Sequence, residues 1–241
     1  DLVGNPWPAN AFGRQGQLAK IGKPDDRGEW NLTPPTVNAG YNPQNNEIIF
    51  PAGILQPPLF DPTADDALNY GGMGAIIGHE LTHGFDDQGR QFDAKGNLSD
   101  WWTESDRKEF IQRSQCIIDQ FSGYDVGQGL HMKGELVVGE SIADLGGLNI
   151  AYAALQKSME GKPRPPKIDG FTPEQRFFLA YAHNWATNMR PEYARYLVNQ
   201  DPHPIPKFRA NGPLSNMPQF AEAFQCKAGD PMVRATKCHI W

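Results

Sequence analysis

Long apolar runs are missing from this 241-residue sequence. The longest near its centre, residues 73–78, falls far short of the roughly 20 residues that a membrane-spanning helix needs, so no membrane contact is expected of this segment. Runs of Lys or Arg, and basic residues interleaved with aromatics, are also absent. With a formal charge of -6 and a pI near 5.5, nothing in the chain tracks a phosphate backbone, and nucleic acid is not an expected partner. Cysteine is scarce. Cys116, Cys226 and Cys238 are too few for a disulfide-dense scaffold and show no C-x-x-C spacing, which argues against a cysteine zinc site. They leave two readings open: one bridged pair with a thiol left over, or three buried thiols in a reducing compartment. The opening Asp1-Leu2-Val3-Gly4-Asn5-Pro6 lacks the charged start and apolar core of a signal, so any such segment is expected upstream or already removed. No internal repeat appears.

What is present suits a globular chain with long ordered loops. Hydrophobic residues make up 39%, enough to bury a core, and 21 Pro and 25 Gly are scattered between apolar runs instead of forming a low-complexity block. Residues 1–36 read as a lead-in segment with a weak helical stretch around 9–21. Glu47-Ile48-Ile49-Phe50, following a turn-forming stretch at 42–46, predicts a strand or hairpin ending at Pro51. Apolar periodicity then predicts a largely buried helix over 71–86 and an amphipathic helix from about 101 to 121, capped by Ser99 or Asp100. Residues 123–134 read as a loop, with helices over about 136–159 and from Thr172-Pro173-Glu174 to 189. The chain loops through Pro202-His203-Pro204-Ile205-Pro206 before a short helix near 217–224. The fold class is mainly α with a small β-sheet.

The chemistry concentrates at His79-Glu80-Leu81-Thr82-His83, an H-E-x-x-H pattern. Four residues of helix bring the two imidazoles within about 40° of one another, one turn apart, so both can bind one zinc ion. A hydrolytic zinc site takes three protein ligands and an open position where water is acidified, and Glu80 sits next to that position. Given six histidines, roughly one chain in a hundred would carry the pattern by chance, as two satisfied histidines and a surface glutamate. A second constellation strengthens it. In Gly139-Glu140-Ser141-Ile142-Ala143-Asp144, Glu140 and Asp144 lie one turn apart at a helix start. Glu140 is expected as the third ligand. Asp144 is expected to accept a proton from the free ring nitrogen of one histidine, and Asp86 to do the same for the other. Acidic residues also favour first helical turns for dipole reasons, but the two motifs together favour the metal site.

With these residues in place, the sequence resembles the neprilysin and endothelin-converting enzyme family of zinc peptidases over nearly its whole length. The resemblance is carried in order by Val37-Asn38-Ala39, residues 50–58 and Asn69-Tyr70-Gly71-Gly72. Residues 78–87, the 139–144 block, Arg190-Pro191-Glu192-Tyr193 and the tail Cys238-His239-Ile240-Trp241 follow. It implies a thermolysin-like (gluzincin) catalytic domain over 37–241, the C-terminal part of a longer protein. It further implies that His203 donates to the oxyanion of the tetrahedral intermediate and that Arg209 grips a substrate carbonyl or carboxylate. Asn38 and Ala39 would bond the peptide main chain along an edge strand. Ile54, Leu59, Ile76 and Trp185 would line the pocket for the side chain after the scissile bond. A disulfide between Cys116 and Cys238 is implied, and with it an extracytoplasmic setting: periplasmic, secreted or at the cell surface. Cys226 then lacks its partner, which in the family lies upstream. Apolar surface where the upstream helical domain packs would favour retention of that domain as a separate chain. Gly40 departs from the family pattern, which has an aromatic residue after Asn-Ala.

The resulting expectation is a zinc endopeptidase with one Zn2+ ion, cleaving peptides on the amino side of bulky hydrophobic residues, with Glu80 activating the attacking water. Its rival is a zinc-stabilised peptide-binding module without turnover. A purely structural zinc site needs four closed ligands, and the sequence offers three good ones.

Overall fold

Helix after helix in this protein begins at a proline, a residue suited to the first turn because its missing N–H is not needed there. The structure, a computed structural model, describes residues 4–24 and 26–241. Its order is α1 (Pro6–Leu18), β1 (Gly40–Asn42), β2 (Glu47–Ile49), α2 (Asp66–Asn69), a π-turn (Tyr70–Gly74), α3 (Ala75–His83) and α4 (Glu104–Ser122). There follow β3 (Asp125–Gly127), β4 (Leu130–His131), α5 (Val138–Met159), α6 (Pro173–Asn184), α7 (Pro191–Gln200), α8 (Pro206–Leu214) and α9 (Pro218–Ala223). Pro6, Pro173, Pro191, Pro206 and Pro218 open their helices. The chain is mainly α with, among the described residues, two antiparallel two-stranded sheets, β1-β2 and β3-β4. It divides into two compact units, one ending at Thr33 and the other spanning Pro34–Trp241. Within the first, α1 buries no residue and Lys20 pairs with Glu29.

In the second unit α5 is the central post. Residues 141–148 of this helix are all buried, which requires an element that is apolar or small on every side. Ile142 and Leu148 meet Phe121 of α4, Phe177, Phe178 and Tyr181 of α6, and Phe208 and Leu214 of α8 in one core. A smaller cluster joins Ala39, just before β1, with Ile54 and with Met73 of the π-turn. The helices α3 and α5 pack backbone to backbone. A Cβ on Gly78 would stand 2.6 Å from the Gly147 carbonyl oxygen, and one on Gly147 would stand 2.5 Å from the His79 nitrogen. Glycine at both positions is what allows the helix of His79 to touch the helix of Glu140.

Cys116 of α4 is joined to Cys238, 122 residues on, and Cys226 is free. The tail is fixed further by Asn216, whose Oδ1 accepts from the Cys238 N–H at 2.9 Å, and by Arg113, which donates to the Ile240 carbonyl at 2.8 Å.

Several boundaries differ from expectation. The cap of α4 is Thr103, whose hydroxyl accepts from the Asp106 N–H at 3.2 Å. Ser99 and Asp100 lie before that cap, and instead Ser99 donates its N–H to the Gln91 carbonyl and Asp100 pairs with Arg107. The single helix expected over 71–86 is α3 with a π-turn before it and ends at His83. Residues 123–134 contain the β3-β4 hairpin, its turn supplied by Gln128 and Gly129 at positive φ. Helix α6 stops at Asn184, and Arg190 is extended (φ -69, ψ 142) because a residue before proline is kept out of the helical region. The sequence reading had no helix at α7 or α8. In α8, Gly212 and Pro213 inside the helix mask its signal.

Candidate metal centre and cleft

Helix α3 presents His79 and His83 on one face, with their Nε2 atoms 3.0 Å apart and their rings nearly perpendicular at 87°. The first turn of α5 brings in Glu140. Its Oε2 lies 3.3 Å from His79 Nε2, and its Oε1 lies 3.8 Å from His83 Nε2. Among the described residues this is the one group of three ligand atoms, all within 4.8 Å of one another, that could hold a metal ion. Ligands placed tetrahedrally about 2.0–2.1 Å from zinc stand about 3.3 Å apart, which the three separations bracket.

The outer ring nitrogens fix how the inner ones face. His83 Nδ1 is 2.6 Å from Asp86 Oδ2, while Asp86 Oδ1 accepts the N–H groups of Gln88 at 2.8 Å and Gly89 at 2.7 Å. His79 Nδ1 is 2.9 Å from Asp144 Oδ1. At that distance the Asp144 carboxylate can take the Nδ1 proton and holds the ring by charge as well. Carboxylates on the outer nitrogens leave the two inner lone pairs directed at each other and at Glu140, a donor set that a cation reconciles. Titration agrees. Burial depresses His79, but the carboxylates of Asp144 and Glu140 outweigh it and carry its pKa up to about 9, so without a metal a proton takes the cationic role. The donors fit zinc.

Glu80 lies on the same cleft, 6% exposed, and burial pushes its pKa up, moderated by the neighbouring His79 and His83. Arg209 is buried opposite. Its Nε donates to Asp144 Oδ2 at 2.9 Å and its Nη2 to Asp144 Oδ1 at 2.7 Å, with Glu140 Oε2 3.5 Å away. Burial works against the Asp144 charge, yet Arg209 and His79 hold its pKa well below the usual carboxylate range. The guanidinium also lies 4.0 Å from the centre of the Trp185 ring, and Tyr181 donates its hydroxyl to the Arg209 carbonyl at 2.9 Å.

His203 stands at the rim, its Nε2 3.2 Å from Glu140 Oε1. Its Nδ1 is 2.6 Å from Asp201 Oδ1, which also accepts the His203 N–H at 2.9 Å. Asp201 was not anticipated. An acid two residues before a histidine, across a proline in Asp201-Pro202-His203, is the local signal that points to it.

A cleft of about 630 Å3 joins these groups. Asn38, Ala39, Ile54, Leu59, Ile76 and Trp185 all line it, so the structure brings every site residue expected from the sequence to one cleft or directly behind it, Asp144 being the one behind. Asn38 is exposed and Ala39 buried just before β1, whose second edge is unpaired among the described residues. Asn184, Tyr41 and Gln88, not anticipated, line it too.

Two histidines from H-E-x-x-H and a glutamate from a second helix, in a mainly helical fold, define the gluzincin class of zinc peptidase. Within that class the chain belongs to Peptidase family M13, whose profile matches residues 38–240. It is 43% identical over 239 residues to an endothelin-converting enzyme homolog of Locusta migratoria, covering 98% of this chain and 33% of that protein. Against endothelin-converting enzyme 1 of Homo sapiens it is 43% identical over 224 residues, covering 92% of this chain and 29% of the relative. A Mycobacterium tuberculosis zinc metalloprotease solved in complex with inhibitor superposes with a TM-score of 0.93 at 48% identity, over 96% of this chain and 36% of that one. The chain thus spans about a third of the length of the relatives it matches.

Proposed function

We propose that residues 37–241 form the catalytic part of a zinc-dependent endopeptidase that hydrolyses peptide bonds on the amino side of bulky hydrophobic residues, with residues 1–36 leading into it. The observation that carries this reading is the meeting of the His79, His83 and Glu140 donor atoms within 4.8 Å, in a cleft that Glu80 also lines. One zinc ion held by these three residues would supply Lewis-acid polarisation of the scissile carbonyl and an acidified water.

The chain's own residues carry the remaining steps. Glu80 takes a proton from the attacking water and delivers it to the leaving amine. Its raised pKa moves it toward the operating pH, as a group that must both accept and donate requires. His203 donates from Nε2 to the oxyanion with both ring nitrogens protonated, Asp201 accepting the Nδ1–H and holding the ring in place. Arg209, oriented by its two bonds to Asp144, offers the rest of its guanidinium fork to a substrate carbonyl. Asn38 and Ala39 bond the peptide main chain along the open side of β1, adding the substrate as a strand. Ile54, Leu59, Ile76 and Trp185 receive the side chain after the scissile bond. The Cys116–Cys238 disulfide favours an extracytoplasmic site of action, and the upstream helical region of the family is the expected partner of this part.

The test is zinc content together with cleavage of a quenched fluorogenic peptide bearing an apolar residue after the scissile bond, before and after chelation. Stoichiometric zinc with chelator-sensitive cleavage supports the endopeptidase. Zinc and peptide binding without cleavage would replace it with a binding module.

A further inference from the structure

The cleft wall is apolar at Ile54, Leu59, Ile76 and Trp185 but includes a carboxamide at Asn184, the last residue of α6. Asn184 Nδ2 reaches the carbonyl of buried Gly72 in the π-turn at 3.4 Å, long for a hydrogen bond, which anchors the amide toward the inner side of this wall. Its Oδ1 is shielded from water and meets no donor. A buried acceptor without a donor is unfavourable, and the Nδ2 contact to Gly72 is long, so a small turn of the amide can bring Oδ1 toward a donor entering the cleft while that contact is kept. A neutral donor suits this wall, where the Arg209 guanidinium already stands 4.0 Å from the Trp185 ring centre. It also has to sit on an apolar body, to match the surrounding side chains.

We infer that Asn184 sets the specificity of this pocket, favouring a residue with an apolar body and a hydroxyl at its tip, tyrosine above phenylalanine. The inference rests on the endopeptidase reading only for placing that residue just after the scissile bond. A site built to pair with a hydroxyl discriminates against the same shape without one, because the analogue leaves the protein's polar group unmatched.

The experiment uses zinc-loaded protein carrying Glu80→Gln, so that peptides bind uncut, and measures Kd for two peptides differing only in tyrosine or phenylalanine at that position. The tyrosine peptide is expected to bind about tenfold tighter, equivalent to about 1.4 kcal/mol. Asn184→Val in the same background should bring the ratio to about one, and kcat/KM in the Glu80 protein should show the same loss of preference. Thermal melting checks that Asn184→Val is folded, and Asn184→Ala replaces it if it is not. Equal binding by the parent, or a ratio unchanged by loss of the amide, overturns the inference. A tyrosine preference in binding with no cleavage of any peptide by the Glu80 protein defeats the endopeptidase reading and leaves this inference standing. Failure of both peptides to bind defeats both.

Discussion

Replacing Gly147 by alanine tests the link between backbone packing and the metal centre. The added Cβ would stand 2.5 Å from the His79 nitrogen, 2.6 Å from the Ala75 carbonyl oxygen and 2.9 Å from the His79 Cα, all on α3. Ordinary contact needs about 3.5 Å, so the two helices must part by about 1 Å. Backbone cannot swing aside as a side chain can, and overpacking of this kind costs about 1–3 kcal/mol of stability. The movement is directional. His79 and His83 travel with α3 while Glu140 and Asp144 stay with α5, and ligand distances tolerate only about 0.2 Å of error. Flexing of the Glu140 side chain recovers part of the displacement, leaving a loss of about 10- to 100-fold in zinc affinity, comparable to losing an outer-shell partner. Zinc Kd is measured by competition with a chromophoric chelator, and melting is followed with and without metal. Gly16→Ala, where a Cβ meets nothing within 4 Å, is the control. Native zinc affinity and unchanged melting in Gly147→Ala would refute the claim that this contact sets the ligand separation.

Further outcomes follow from other contacts. Glu80→Gln should retain zinc and lose peptide cleavage by at least about 100-fold, checked by metal analysis beside kcat. His203→Gln should lower kcat about 100- to 1,000-fold with little change in KM, and Asp201→Asn should act in the same direction more weakly, by steady-state kinetics. Serine at both Cys116 and Cys238 frees a loop of 122 residues and should cost about 4–5 kcal/mol by chain entropy, measured by denaturant unfolding. The Asp144 carboxylate is held below its ordinary value by Arg209 and His79. Its contribution to stability is therefore complete above a pH of about 3.9 and drains away as the pH falls through the depressed folded value. Arg209→Ala leaves that buried charge with His79 as its remaining partner among those two and should destabilise by up to about 3–5 kcal/mol at neutral pH, seen in denaturant melts.

The candidate metal-ligand set was legible because helical spacing is a local property: His79 and His83 are one turn apart wherever their helix sits, and so are Glu140 and Asp144. That the two pairs meet depends on the Gly78 and Gly147 contact, which two glycines in apolar helices announce only weakly. That Asp86 and Asp144 each serve one histidine could be expected from the sequence, whereas which serves which, and the commitment of Arg209 to Asp144, 65 residues away, could not. Helices α7 and α8 escaped notice because prolines at 191, 202, 204, 206 and 213 read as breaks, although the structure uses three of them inside helices or at their starts. Asn184 could not be singled out from sequence, since its neighbours in the cleft come from far along the chain.

The π-turn at Tyr70–Gly74 gives the site a tolerance of one residue in length. Before it, Asp65 caps α2 through the Ala67 N–H and is held by two bonds from Arg176 of α6. After it, α3 carries the metal motif. A π-turn holds one residue more than the α-turn it replaces, so deleting a single residue there would leave an ordinary helix that closes the same full turn, and the motif would keep its direction. A second deletion would have no wide turn left to absorb it: everything downstream would turn by about 100° and draw back by about 1.5 Å while the upstream end stays clamped. His79, Glu80 and His83 would all remain in the sequence, spaced as before, yet point away from Glu140. Such a chain would still spell the motif while having lost the phase in which it can be read, so a search by pattern would accept it and zinc would not.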